Sequence, residues 1–305
     1  MGVNWQGVFI VAATQFTEDQ TIDLKATQQF VDGLIQDGAH GIIMLGRFGE
    51  VIAMTAAEKR TVMAAAKEAV NGRVPLLTGA IECSLDAATQ YARDMEQLGI
   101  DGLMATPLLG YPPRSHEGVA FVRRLAAASS LPIMLYNEPV GFGLDFSPKL
   151  LNELADVERL VAVKESTDQS RRVTQIKLAC GDRYAVFCGS DDIIFESMLL
   201  GCVGWVCATG SAFLRETVAF HDMITAGRYA EAREIYRWMY PLLHLDCRST
   251  FIQCGKLALS MCGRGSETVR MPLMPLRGDE RAEVIAIVEN TLRTRPDLDR
   301  LGRAA

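Results

Sequence analysis

Short apolar segments alternate with amphipathic stretches of ten to fifteen residues along the first two thirds of the chain. Apolar runs rich in Val, Ile and Leu are typical of buried parallel strands, and apolar residues three or four positions apart are typical of helices. The pattern predicts strands at 8–13, 41–45, 74–79, 102–106, 132–137, 160–165, 184–188 and 203–208. It predicts helices between them, for example at 56–70, 85–98 and 118–128. Eight such repeats with short connections favour the α/β class and a closed (β/α)8 TIM barrel.

After the eighth predicted strand the β pattern ends and the rest of the chain has a helical pattern. Helices are predicted at 214–226, 229–243, 249–262 and 279–291. No linker rich in Pro, Gly or Ser precedes them. We therefore predict a barrel over residues 1–225 and a C-terminal helical extension over 226–305 that packs on the barrel and is not an independent domain. Within the extension a polar stripe is interpreted as a solvated or subunit-contact face rather than a cover on the barrel mouth. Its members are Arg248, Ser249, Gln253 and Lys256.

Composition and charge narrow the class of partner. A net charge of −6 over 305 residues predicts no nucleic-acid partner and no anionic membrane surface as a partner. Apolar runs stay shorter than the roughly 18 residues of a membrane span, and the pattern of the first residues predicts no secretory leader. The eight cysteines include no CxxC pair, and the four histidines are too dispersed to predict a metal site. We expect buried thiols and a soluble, cytoplasmic protein.

Lys164 is the first candidate for chemistry. In a barrel of this kind the working residues lie at the C-terminal ends of the strands, and the sixth predicted strand ends Val-Lys-Glu. Alternation places Lys164 on the same face as Ala162, whose small side chain leaves room in the interior. Loss of hydration there favours a neutral amine, which attacks carbonyl carbon. The alternative is an ion-paired lysine at a strand end, with Glu165 as its partner.

Other candidates lie where neighbouring strands end. Tyr136, on the fifth strand, is either a proton donor and acceptor or a packed aromatic. The glycine-bounded turn after the second strand can approach a ligand closely. Its candidate binding residues are Gly46, Arg47, Phe48 and Gly49. Arg47 is either a partner for a substrate carboxylate or a solvated arginine, and Glu50 can organise the turn by accepting hydrogen bonds. Thr209, after the eighth strand, offers its hydroxyl to a ligand or to loop backbone.

Together these segments resemble the dihydrodipicolinate synthase / N-acetylneuraminate lyase family of class I, Schiff-base-forming lyases. The second-strand loop is similar to the family's G-x-x-G-E, the fifth strand to its Y-N-x-P, and the sixth to its K-E/D-S/A. Residues 189–192 are similar to its G-x-D-type turn, and the resemblance covers nearly the whole chain. It implies that Lys164 forms the imine, that Tyr136 shuttles protons, and that the protein is a homotetramer built as a dimer of dimers.

The chain departs from the synthase pattern in three places. Arg47 and Phe48 stand where the synthase usually has two threonines. Leu108 and Leu109 stand where an aromatic pair is expected, although Tyr111 lies nearby in sequence. Residues 140–143, directly after Y-N-x-P, lack the arginine that the synthase carries there. These differences disfavour the lysine-biosynthetic reaction.

Imine chemistry on a different substrate remains as the predicted type of reaction. A protonated imine acidifies the adjacent carbon and acts as an electron sink, so neither a metal nor an organic cofactor is expected. We therefore predict a lyase that acts on a 2-oxo acid or cyclic imino acid by dehydration, deamination or retro-aldol cleavage, in sugar-acid or hydroxyproline-type catabolism. Arg47 is the candidate carboxylate anchor. Glu138 is a candidate acid or base at the substrate, although a glutamate before proline is commonly just exposed.

Two alternatives stay open. One is a 4-hydroxy-tetrahydrodipicolinate synthase or a pyruvate-dependent aldolase. The other is a non-catalytic barrel that binds a 2-oxo acid as a sensor or as an inactive partner. Retention of Lys164 and Tyr136 argues against the non-catalytic barrel, because binding alone needs no nucleophile, whereas the altered second-strand loop argues for it.

Overall fold

The computed structural model describes residues 3–107 and 111–302. Leu108 and Leu109, which stand where the synthase pattern has an aromatic pair, lie outside the described residues. Eight parallel strands close into a barrel in chain order, with β8 pairing to β1. The predicted TIM barrel is therefore confirmed, and each predicted strand agrees with the observed one to within two residues at either end. The strands are β1 Gly7–Val11, β2 Gly41–Met44, β3 Leu76–Ala80, β4 Gly102–Ala105, β5 Ile133–Asn137, β6 Leu160–Glu165, β7 Ala185–Cys188 and β8 Gly204–Cys207.

Helices surround the barrel and continue beyond its last strand. Within the described part of the chain, none of them is long and apolar enough to cross a membrane. The barrel helices are α1 Leu24–Gln36, α2 Ala56–Val70, α3 Leu85–Leu98, α4 Ser115–Ala126, α5 Pro139–Phe142, α6 Pro148–Glu153, α7 Arg171–Cys180, α8 Ile194–Leu199 and α9 Leu214–Thr225. They are followed by α10 Tyr229–Leu243, α11 Phe251–Met261, α12 Gly278–Arg293 and α13 Leu298–Gly302, and short 3-10 turns lie at Val51–Ala53, Asp191–Ile193, Thr209–Phe213 and His244–Cys247.

Helix α4 begins earlier than the sequence pattern predicts, at Ser115 rather than at residue 118. The Glu117 carboxylate accepts a hydrogen bond from the backbone N–H of Arg114, which satisfies a donor at the helix start. Gly118 then lies inside the helix, where a Cβ would collide with Leu144. This glycine is therefore a packing position and not the helix boundary.

Two phenylalanine rings fill the barrel interior. Phe9 and Phe187 each lie two residues before a residue of the cavity described below, so alternation points them to the same inward face. Their ring centroids lie 5.2 Å apart in an edge-to-face arrangement. A Cβ at Gly41 would lie 2.5 Å from the Phe9 ring, and one at Gly204 would lie 2.5 Å from the Phe187 ring. The rings thus form a floor beneath the C-terminal ends of the strands.

The C-terminal helices contact the barrel through a buried ion pair. Lys256 on α11 donates to Glu50 at 2.6 Å and to the Thr14 carbonyl at 3.0 Å, and the side chains of both charged residues are fully buried. The expectation that Lys256 belongs to a solvated or subunit-contact face is therefore wrong. The division of the chain into 1–225 and 226–305 stays a prediction.

The cysteines are all free thiols, and four of them are buried: Cys188, Cys202, Cys207 and Cys254. Cys83 and Cys247 are exposed, so the expectation of buried thiols is wrong for these two. Burial raises the pKa of Cys188 to about 12, because the thiolate is poorly solvated in the core. The buried thiols are therefore packing groups rather than nucleophiles.

Candidate active site

A cavity of about 410 Å³ lies at the C-terminal ends of the strands. The structure brings five of the predicted site residues together on its wall: Lys164, Tyr136, Arg47, Phe48 and Glu138. The remaining three, Gly46, Gly49 and Thr209, are not wall residues. A volume of this size suits a small-molecule ligand.

Lys164 and Tyr136 are neighbours because β5 and β6 pair in register at these two residues. The Lys164 Nζ lies 3.9 Å from the centroid of the Tyr136 ring, and the lysine is only 6% exposed. The alternative ion pair with Glu165 is not formed. The Glu165 carboxylate instead accepts hydrogen bonds from Asn137 Nδ2 and the Thr167 N–H, both at 2.9 Å.

Gly189 gives Lys164 its path into the cavity. A Cβ at Gly189 would lie 2.6 Å from both Cγ and Cε of Lys164 and would also collide with Ser166 Oγ. Ser166 Oγ is buried and makes no hydrogen bond in the described part of the chain. A residue without a side chain is thus required after β7 for the lysine to extend toward a ligand.

The turn after β2 is a constrained segment. Leu45 and Glu50, which flank it, both have φ of 56°, in the left-handed region that non-glycine residues seldom adopt. The Gly49 N–H donates to the Gly46 carbonyl at 3.0 Å. A Cβ at Gly46 would lie 2.6 Å from Val11, and one at Gly49 would lie 3.0 Å from the Leu45 nitrogen. The two glycines therefore shape the turn, and the predicted contact with a ligand does not follow from their positions.

Glu50 fixes this turn from outside the cavity. Its carboxylate accepts from Lys256 and, at 2.8 Å, from the backbone N–H of Arg270. Phe48 is buried against α11, where a Cβ at Gly255 would lie 2.5 Å from its ring. Helix α11 therefore holds the turn that presents Arg47.

Arg47 is held by a carboxylate and two aromatic rings. Its Nη1 donates to Glu138 at 2.7 Å, and its guanidinium carbon lies 5.0 Å from the Phe251 ring centroid and 5.8 Å from that of Phe142. Such contacts orient the planar guanidinium. A Cβ at Gly141 would lie 3.1 Å from Arg47 Nη1 and would collide with Glu138. Arg47 is therefore half-buried and paired, and its role as a partner for a substrate carboxylate stays a prediction.

Glu138 has two hydrogen-bonding roles. One oxygen accepts from Arg47, while the other caps α5 by accepting from the Gly141 N–H at 2.9 Å. Its side chain is only 12% exposed, so the interpretation of an exposed glutamate is wrong. Burial raises the pKa of Glu138, and the positive charge of Arg47 opposes that shift. Pro139 at the first helical position is the signal by which the sequence marks Glu138 as a cap.

Thr209 lies behind the cavity wall. Its hydroxyl and its N–H donate to the Asp191 carboxylate at 2.6 and 2.8 Å. The Thr209 hydroxyl therefore donates to a buried carboxylate, whereas the sequence predicted that it would donate to a ligand or to loop backbone.

Sequence reasoning missed several wall residues. Asp246, Arg248, Ser249 and Phe251 all come from the segment between α10 and α11 and from the start of α11. Arg248 and Ser249 contribute to the mouth of the barrel, the position that the sequence pattern disfavoured, and Ser249 is exposed there. No motif marks them, because their position depends on how the extension packs.

The expectation that the histidines are dispersed is corrected by two contacts, one between two histidines and one between a histidine and an aspartate. The rings of His40 and His221 lie 5.4 Å apart, and His40 Nδ1 accepts from the Val8 N–H, far from the cavity end of β1. His244 Nδ1 lies 3.0 Å from an Asp192 oxygen that also accepts from the Cys247 thiol. We assign neither set of side chains to a metal, because His40 Nδ1, His244 Nδ1 and the Cys247 thiol already have hydrogen-bond partners.

Comparisons with known proteins agree with this architecture. The model of the dihydrodipicolinate synthetase family matches residues 4–291. A 4-hydroxy-tetrahydrodipicolinate synthase of Pelobacter propionicus is 30% identical over 94% of this chain and 98% of its own length. The solved synthase of Methylacidiphilum fumariolicum has a TM-score of 0.89 at 25% identity, over 95% of this chain and 97% of that one. A Bacillus anthracis dihydrodipicolinate synthase has a TM-score of 0.90 at 24% identity, over 97% of this chain and 100% of that one.

The family assignment rests on the length of these matches. The family model and the synthase relatives extend over almost the full barrel and most of the C-terminal helices. The relatives are named 4-hydroxy-tetrahydrodipicolinate synthases, and the predicted enzyme class, a lyase, is confirmed. The chain belongs to the dihydrodipicolinate synthetase family.

Proposed function

We propose that the protein binds a 2-oxo acid, or the corresponding cyclic imino acid, as a Schiff base on Lys164 and eliminates water or an amine from it. The observation that carries the proposal is the Lys164 amine, which reaches the cavity beside Tyr136 and whose neighbour Glu165 bonds elsewhere. Because Glu165 does not pair with Lys164, the amine is available to a ligand as a nucleophile.

The chemistry follows from the position of these groups. The Lys164 amine adds to the substrate's C2 carbonyl, and water leaves as the imine forms. Tyr136, next to the amine, carries protons to and from the departing oxygen. The iminium then withdraws electrons from C3, so a C3 proton is lost to a base and an enamine forms. The enamine electrons expel the group on C4.

Arg47 is proposed to bind the substrate carboxylate. A guanidinium has five N–H donors, so its bond to Glu138 leaves capacity for a second carboxylate. The rings of Phe142 and Phe251 orient it without competing for those donors. Because Glu138 forms an ion pair with Arg47, we assign its carboxylate as the base that removes the C3 proton.

The synthase reaction of the named relatives is the second candidate. Their identity of about 30% over nearly the whole chain favours it. Arg47 and Phe48, in place of the two threonines that the synthase usually carries, disfavour it, because Phe48 is buried and offers no hydroxyl. The pyruvate-dependent aldolase and the non-catalytic barrel are further outcomes of the experiment below.

Intact mass after borohydride reduction tests the proposal. The protein is reduced with pyruvate and, separately, with a panel of 2-keto-3-deoxy acids and a hydroxylated pyrroline carboxylate, with Lys164→Ala as the control. We expect an adduct on the wild type alone, with a mass that reveals loss of water or ammonia. An adduct lacking a carbon fragment, with pyruvate detected by coupled lactate dehydrogenase, would indicate an aldolase. No adduct with any ligand would support the non-catalytic barrel.

A further inference from the structure

Three acidic residues line the cavity, Glu138, Asp168 and Asp246, and the last of them belongs to the C-terminal extension. Asp246 lies on the 3-10 turn His244–Cys247 and contributes to the cavity wall. Its neighbour Asp191 lies behind the wall and is fully buried. The backbone N–H of Asp191 points to Asp246 Oδ2 at 3.5 Å, and Asp246 lines the same cavity as Lys164.

Asp191 and Asp246 differ in the number of hydrogen bonds that their carboxyl groups accept. Asp191 accepts from Trp205 Nε1 at 2.8 Å, from the N–H and hydroxyl of Thr209 at 2.8 and 2.6 Å, and from the Ala208 N–H at 3.3 Å. Burial raises the pKa of Asp191, and these donors oppose that shift. Asp246 accepts only the long bond from Asp191 within the described part of the chain.

The charge of Asp191 raises the pKa of Asp246, because two nearby carboxylates repel each other. Asp191 has the donors that favour the charged form and Asp246 has one long bond, so Asp246 is the member better suited to hold a proton. Two carboxyl groups in contrasting environments are the usual source of an acid and a base in one site. Asp246 is also the member of the pair that faces the cavity.

We propose that Asp246 is the catalytic acid that protonates the leaving group at C4 of the substrate held on Lys164. The inference rests on the function proposed above. Glu138 takes the C3 proton as the C3–H bond breaks. The enamine electrons then re-form the iminium as the C4–O or C4–N bond breaks, and the Asp246 proton passes to the departing oxygen or nitrogen. Water or ammonia leaves, and both carboxyl groups return to their starting states by proton exchange with solvent.

The charges around Asp246 set the sign of its pH dependence. Burial first, and then the charge of Asp191, raise the pKa of Asp246 well above its usual range, while Lys164 on β6 and Arg47 on the β2 turn oppose the shift. The thiols of Cys207 and Cys247 also face it. Because the protonated form is required, turnover falls as pH rises through this pKa, which gives an alkaline limb.

Asp246→Asn separates this role from imine formation. The first readout is exchange of pyruvate methyl protons with D2O, followed by NMR, which needs the imine and the enamine but no leaving group. The second is elimination from the acid that forms a reducible adduct. We expect Asp246→Asn to keep the pyruvate adduct and the exchange, and to lose elimination by about 100- to 10,000-fold, the range for general acid catalysis. Asp182→Asn, which removes an exposed carboxylate, is the matched control and should change neither readout.

Asp246→Glu keeps the acid and is expected to restore part of the elimination rate with a shifted alkaline limb. The inference is overturned if Asp246→Asn retains elimination with the wild-type pH profile. It is also overturned if exchange and elimination fall together in a variant whose circular dichroism is that of the wild type. Absence of both adduct and exchange in the wild type would instead contradict the Schiff-base function itself.

Discussion

At the residue scale, the reach of Lys164 depends on a neighbour that has no side chain. Gly189→Ala would place a methyl group 2.6 Å from the lysine Cε and Cγ, so the amine would be displaced from the Tyr136 ring. We expect the variant to fold and to lose most of its borohydride adduct, because near-attack geometry is sensitive to shifts of this size. Intact mass quantifies the loss.

Gly33→Ala is the matched control for that substitution. Nothing lies within 4 Å of a Cβ at Gly33, which is inside helix α1. Alanine should therefore leave the adduct unchanged and stabilise the protein by about 0.5–1 kcal/mol. A Gly189→Ala protein with a full adduct would show that Lys164 has another route to the cavity.

The Arg47–Glu138 pair predicts a shift in pH dependence. The pKa of Glu138 is already raised by burial, and Arg47 limits that rise. Arg47→Met removes the opposing charge, so the pKa of Glu138 should rise further. If Glu138 acts as a base, activity falls as pH decreases through its pKa, and the acid limb should therefore move to higher pH. The profile of kcat/KM against pH measures this, and an unmoved acid limb would remove Glu138 from the base role.

At the element scale, the β2 turn and helix α11 act as one unit. Lys256→Met would leave the Glu50 charge buried without its partner, which costs about 3–5 kcal/mol when a buried pair is broken. Urea unfolding of the single variant should show this loss, and Glu50→Leu combined with Lys256→Met should recover much of it. Activity should fall with the single substitution, because the turn also presents Arg47.

An exposed pair provides the comparison. Lys177 and Asp182 form an ion pair in which the aspartate side chain is 97% exposed. Lys177→Met should change stability by less than about 1 kcal/mol. Equal losses for Lys177→Met and Lys256→Met would mean that burial of the Glu50–Lys256 pair does not govern its contribution.

At the scale of the whole molecule, the predicted homotetramer remains to be measured. Leu178 on α7 is 83% exposed, and Leu199 at the end of α8 is 50% exposed. These large apolar side chains lie on adjacent barrel helices, where a subunit contact would cover them. We expect sedimentation equilibrium to give four chains of 33.4 kDa each. Leu178→Asp should reduce that mass, whereas a monomeric wild type would contradict the prediction.

The sequence predicted the elements of this fold because their signals are local. Runs of Val, Ile and Leu mark the strands, and the end of β6 identifies Lys164 because catalytic positions in such barrels follow strand ends. Prediction is less exact where one residue type has two structural roles. The sequence pattern places Gly118 at a helix boundary, although Gly118 is a packing position inside α4.

The sequence by itself determined the barrel, the strand ends and the family motifs, since each depends on residues close together in the chain. Tertiary structure alone decided that Glu50 and Lys256, 206 positions apart, form a buried pair. It also decided that Asp246 lies beside Asp191, 55 positions away. No periodicity encodes such contacts, because they depend on how the C-terminal helices pack over the ends of the strands.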